Sequence, residues 1–167
     1  KAYGTSEESI GNCLKHRMES SWNIITKLSE SVINVADQIK DSAEKLTVSP
    51  TVVLAHSIEI FLNNKFRSEL QEVREKQLIS KIGVSLYSED EISQVLESAF
   101  KQVVIQLPMN MLDTRLYRCG VLSQLNGKGV EIHVRSAFLQ GLFHPPRVWY
   151  SVFSPLGNSW LSISSIF

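Results

Sequence analysis

Five short, nearly continuous apolar runs alternate along this chain with longer stretches of helical period. The runs are Trp22 to Lys27, Val52 to Ser57, Ile82 to Ser85, Val103 to Leu107 and Val130 to Ser136. A strand covered on both faces reads as an unbroken apolar run, whereas a strand with one wet face alternates. The pattern therefore predicts βα units around a parallel sheet. Between the first two runs, Val32, Ala36, Ile39, Ala43 and Leu46 recur at three and four residues, with Asp37, Lys40, Asp41 and Glu44 on the other side. That is the stripe of an amphipathic helix. Ser88-Glu89-Asp90-Glu91 has the form of a capping box and opens the run Ile92, Val95, Leu96, Ala99, Phe100. A further helix through Leu116, Leu122 and Leu125 is expected to stop at Asn126-Gly127, where glycine can take the left-handed conformation.

A polar residue stands near the end of each apolar run: Lys27, His56, Ser85, Gln106 and Arg135, spaced 29, 29, 21 and 29 residues apart. A (β/α)₈ barrel allots roughly 31 residues to each unit and builds its active site at the carboxyl ends of its strands. No GxGxxG follows a first strand, so a dinucleotide fold of the Rossmann type is disfavoured. The expected fold is α/β, a (β/α)₈ TIM barrel that is incomplete here, with about five βα units. Five strands do not close such a barrel, and the exposed sheet edges that follow predict a sticky or poorly folded product.

The chain has 167 residues, enough to bury one core, and one domain is expected. Lysine plus arginine equals aspartate plus glutamate at 17 each, so no net field draws the chain to nucleic acid or to an anionic membrane. The longest apolar runs fall far short of the roughly 20 residues that cross a bilayer. Cys13 and Cys119 fall in helical stretches, with no CxxC and no metal-like spacing against the four histidines. A reduced, cytoplasmic compartment and no metal are expected. The first residue is Lys1 rather than methionine, and Tyr3-Gly4 reads as the middle of something, so the natural start is expected to lie upstream.

Taken singly, the candidate site residues are ordinary. A lone lysine at a strand end usually reaches solvent, and a lone histidine after an apolar run is usually a hydrogen-bonded core residue. Tyr3 precedes a helix for which Ser6 is a plausible N-cap, and alone says little. Their order is more specific. Tyr3-Gly4-x-Ser6-Glu7 with Ile10-Gly11, then Ile-Ile-Thr-Lys27, Leu-Ala-His56-Ser, Ile-Gly-Val-Ser85, Ile-Gln106-Leu-Pro-x-Asn110 and Val-Arg135-Ser136-Ala-Phe138-Leu-Gln140-Gly141 follow one another at barrel-like spacing. This ordered set resembles the aldo-keto reductases, from Tyr3 to about Leu142.

The resemblance implies transfer of a hydride from NADPH to the carbonyl of a small aldehyde or ketone. Tyr3 would be the general acid, Lys27 the cation that lowers the phenol pKa, and His56 a donor to the carbonyl oxygen. The aspartate that pairs with this lysine in the family would lie about three residues before Lys1. Ser85 and Gln106 occupy positions that hydrogen-bond the nicotinamide carboxamide in similar proteins, although Leu86 replaces the asparagine that many members carry beside the serine. Arg135 falls where many members stack a tyrosine on the nicotinamide, a place that a planar guanidinium can also fill. Ser136, Phe138, Gln140 and Gly141 align with a loop that contacts the cofactor pyrophosphate. The later motif that grips the adenosine 2′-phosphate is absent, so NADPH is preferred over NADH by resemblance alone.

On this reading residues 1–142 form a partial barrel and 143–167 a loop and poorly matching tail of the same domain. Two other functions are open: a non-catalytic regulatory subunit that binds NADPH, and an inactive fragment of a reductase. Specificity in such folds lies in loops at the barrel mouth, so neither the substrate nor the oligomeric state is legible.

Overall fold

A computed structural model of the chain describes residues 4–16, 22–29, 34–98 and 103–139, together with the backbone of 162–163. Its elements run α1 (Ser6–Lys15), β1 (Ile25–Leu28), α2 (Val35–Leu46), β2 (Val52–Ala55), α3 (Ile58–Leu62), α4 (Asn64–Glu75), β3 (Lys81–Ser85), α5 (Glu89–Glu97), β4 (Val103–Pro108), α6 (Arg115–Arg118), α7 (Val121–Gly127), β5 (Glu131–Arg135) and β6 (Ser162–Ile163). The six strands make one sheet in the order β1-β2-β3-β4-β5-β6, each pair parallel. A doubly wound sheet reverses its strand order at a switch point, whereas barrel strands are laid down in sequence. The unreversed order is that of a partial (β/α)₈ barrel.

The two faces of the sheet differ. Toward the helices, Val53, Ile82, Val84, Ile105 and Leu107 join Ile39, Phe61, Leu70, Ile92 and Leu125 in one large core. The opposite face carries only a small apolar cluster of Val52, Leu54 and Val104, with Ile25 packed against it. In a closed barrel this second face is the interior, and strand alternation sends Lys27, Ser85 and Gln106 to the same side as that cluster. Gly83 lies there too, because a Cβ at this position would come within 2.3 Å of Leu54 Cδ2 and 2.4 Å of Val104 O.

Local chemistry sets most of the boundaries. The Asn34 side chain accepts from the backbone N–H groups of Ala36 and Asp37, which caps α2 ahead of Val35; Val32 lies outside the described residues. The capping box of α5 is present, with Ser88 Oγ accepting from Glu91 N and Glu91 Oε2 accepting from Ser88 N. That helix ends at Glu97, and Ala99 and Phe100 lie outside the described residues. Several expectations are corrected. Strand β1 begins at Ile25, and Trp22 is half exposed instead of opening the strand. The N-cap of α1 is Thr5, without a side-chain cap bond, so Ser6 is already helical. The helix expected through Leu116, Leu122 and Leu125 is two, because Gly120 at φ 78° breaks it between α6 and α7.

The residue that takes the left-handed turn after α7 is Gly129, at φ 68°, not Gly127. Val130 N donates to Leu125 O and Gly129 N to Asn126 O, the paired bonds of a Schellman ending. The helical stretch expected between β2 and β3 is divided into two helices, α3 and α4. Of these, α4 buries Phe66, Leu70 and Val73 at helical spacing against the sheet. The closing run, in which no helical period is legible, supplies β6, whose Ser162 pairs with His133.

Candidate active site at the carboxyl ends of the strands

The five strand-end residues singled out by spacing converge on one end of the sheet. Lys27 sits on β1 opposite Leu54, half buried, and its Nζ reaches Ser85 Oγ of β3 across β2 at a long 3.5 Å. Burial pulls its ammonium down to about 8, and the positive charge of Arg135 adds to the fall. His56 follows β2 directly and its N–H donates to Leu28 O at 3.0 Å, which prolongs the ladder by one step and holds the half-buried ring at the strand end.

Ser85, Gln106 and His133 are paired positions on β3, β4 and β5 and form a polar row across three neighbouring strands. All three are buried, and Gln106 is 0% exposed. Both polar atoms of the Gln106 carboxamide, and Nδ1 of His133, lack a hydrogen-bond partner. Such atoms are rare in folded proteins, since each unmade bond in a buried site costs about 1–3 kcal/mol. An orphaned carboxamide offers one donor side and one acceptor side, which is what a second carboxamide needs. The row thus fits the amide of a nicotinamide.

Arg135 closes β5. Its backbone oxygen accepts from Met109 N at 3.1 Å, and its guanidinium stacks over the Tyr87 ring at 4.3 Å from the centroid. Directly after it, Ser136 takes φ 58°, a left-handed conformation at a non-glycine residue that turns the chain out of the strand. Ser136 and Phe138 are exposed. Tyr3, Gln140 and Gly141 lie outside the described residues.

Two neighbours of the site escaped the sequence reading. His133 was hidden inside an apolar run, although Glu131, His133 and Arg135 alternate onto one face of β5. Glu131 binds His133 Nε2 at 2.9 Å and Lys81 Nζ at 2.6 Å. Its own burial works against ionisation, but Lys81 and His133 outweigh that and hold the carboxyl below its usual range. Tyr87 gave no signal beyond following Leu86. Among the described residues no group of three or more histidine, cysteine or acidic side chains could hold a metal, and no helix is long and apolar enough to cross a membrane.

The model of the aldo/keto reductase family matches residues 1–147. The chain belongs to this family. A Pseudomonas aeruginosa protein assigned to the aldo-keto reductases is similar in structure at a TM-score of 0.67 and 22% identity, over 81% of this chain and 55% of that one. A Bombyx mori aldo-keto reductase solved in complex with NADP gives 0.62 and 18%, over 78% and 48%. A Klebsiella pneumoniae aldo-keto reductase solved in complex with NADPH gives 0.65 and 14%, over 81% and 49%. At these identities the likeness is one of fold, and the chain spans about half the length of these relatives. No curated protein sequence is significantly similar to it.

Proposed function

We propose that the protein is an NADPH-dependent reductase of aldehydes or ketones. The observation that carries this reading is the buried carboxamide of Gln106, free at both polar atoms beside Ser85 and at the strand ends where barrel enzymes bind their ligands. Family membership and the relatives solved with NADP and NADPH support it. Gln106 and Ser85 are assigned to the nicotinamide carboxamide, and Arg135, Ser136, Phe138, Gln140 and Gly141 to the cofactor's surroundings. Bound NADPH supplies the hydride.

The side chains of this chain handle the carbonyl oxygen. Tyr3 delivers a proton to it, so that the carbonyl becomes an alcohol as the hydride arrives at carbon. A phenol with pKa near 10 gives up its proton sluggishly at neutral pH, and an adjacent cation makes it a better acid. Lys27 has that role: with its pKa at about 8 it is still mainly ammonium at pH 7. His56 donates to the same oxygen, which orients the carbonyl and meets the charge that develops there.

The test is loss of NADPH absorbance with an activated aromatic aldehyde, repeated with Tyr3→Phe. Turnover is expected to fall at least about a hundredfold with cofactor binding little changed. A wild-type protein that binds NADPH without ever oxidising it is a regulatory subunit instead, and a Tyr3→Phe variant as fast as wild type removes Tyr3 from the mechanism.

A further inference from the structure

Two arginines of this chain present the same edge in opposite conditions. In Arg115, Nε donates to Asp113 Oδ1 at 2.8 Å and Nη2 to Asp113 Oδ2 at 2.9 Å, the side-on fork by which a guanidinium grips a carboxylate. In Arg135 the same two nitrogens are buried and have no partner. Donors of a buried cation left unpaired are costly, so this edge is built to be met by an acceptor. Tyr87 lies against one face of the Arg135 guanidinium and fixes its plane, so an acceptor that meets the buried Nε–Nη2 edge must lie in that plane.

The surroundings ask for a negative charge. Lys27 is a second cation at the same end of the sheet, and among the described residues no carboxylate is ion-paired with either Lys27 or Arg135. Glu131, four residues earlier on the same face of β5, is already engaged by Lys81 and His133. We propose that the Nε–Nη2 edge of Arg135 seats a carboxylate carried by the carbonyl substrate, so that the protein selects oxo acids over neutral aldehydes and ketones. This rests on the reductase reading. A phosphate of the cofactor is the other oxyanion that such an edge could hold, and the experiment separates the two.

Reduction of 4-carboxybenzaldehyde is compared with that of its neutral methyl ester in wild type, Arg135→Gln and Arg135→Lys, with NADPH affinity measured in parallel by fluorescence. A bidentate charged contact is worth about one to two orders of magnitude, so wild type is expected to favour the acid in kcat/KM by about tenfold or more. In Arg135→Gln the ratio of acid to ester falls to about one, and in Arg135→Lys, which keeps the charge but loses the fork, it lies between. Equal rates for acid and ester in wild type overturn the proposal. So does an intact preference in Arg135→Gln accompanied by a tenfold loss of NADPH affinity, which gives the edge to a cofactor phosphate.

Binding at equilibrium keeps this result apart from the reductase reading. Benzoate should bind wild type in preference to benzamide and should raise the pH at which Lys27 titrates; Arg135→Gln abolishes both effects. If benzoate behaves so but no aldehyde turns over, the carboxylate seat stands and the reductase reading fails. If aldehydes turn over and benzoate binds no better than benzamide, the reverse holds.

Discussion

Lys27 carries a charge in a place that resists it, and the consequence can be titrated. Its pKa falls from 10.5 to about 8, first through burial and then through Arg135. Between those two values the folded chain binds fewer protons than the unfolded one. The ammonium therefore costs stability at every pH below about 8, and the cost is relieved as pH rises from about 8 towards 10.5. Competitive acetylation read by mass spectrometry should show Lys27 about half deprotonated near pH 8, while exposed lysines reach that point above about pH 10. Arg135→Gln should move the Lys27 midpoint upward; an unmoved midpoint means that the two cations do not feel each other. At this scale Lys27, His56, Ser85, Gln106 and Arg135 were legible because each ends an apolar run. His133 and Tyr87 were not, since a histidine within a strand and a tyrosine after one look the same whether or not they border a site.

Among the elements, β2, β3 and β4 position the site, and their close approach depends on Gly83. The glycine has no room for a side chain between Leu54 and the Val104 backbone. Gly83→Ala should destabilise the fold by about 1–3 kcal/mol, the range of overpacked cores, as measured by urea denaturation. No loss would mean that the β2–β3–β4 spacing adjusts freely. Gly11 plays a similar part in α1, where a Cβ would fall 2.0 Å from Lys45 O and push α1 off the end of α2. The capping box of α5 was readable because its partners are three residues apart. The break at Gly120 and the Schellman ending at Gly129 were not, because glycines at 120, 127 and 129 all permit a left-handed turn and packing chooses among them.

Among the described residues the sheet is open: β1 pairs only with β2, and β6 only with β5. Unpaired edges recruit other strands, so the 167-residue chain is expected to self-associate as its concentration rises, checked by size-exclusion chromatography with light scattering. A single monomeric species across the concentration range would show that the edges are protected. The sequence alone determined the number and order of the first five strands and, to within two residues, their carboxyl ends, and through its ordered motifs the family. Apolar runs and strand-end polar residues are local features, fixed by burial on both faces of a parallel sheet. Only the tertiary structure decided that Ser85, Gln106 and His133 stand in one buried row, and that Arg135 lies on Tyr87 with a buried, unpaired edge. The row joins strands some 20 to 30 residues apart through the register of the hydrogen-bond ladder, and the Arg135–Tyr87 contact spans a longer stretch still; both are set by the packing of the sheet as a whole.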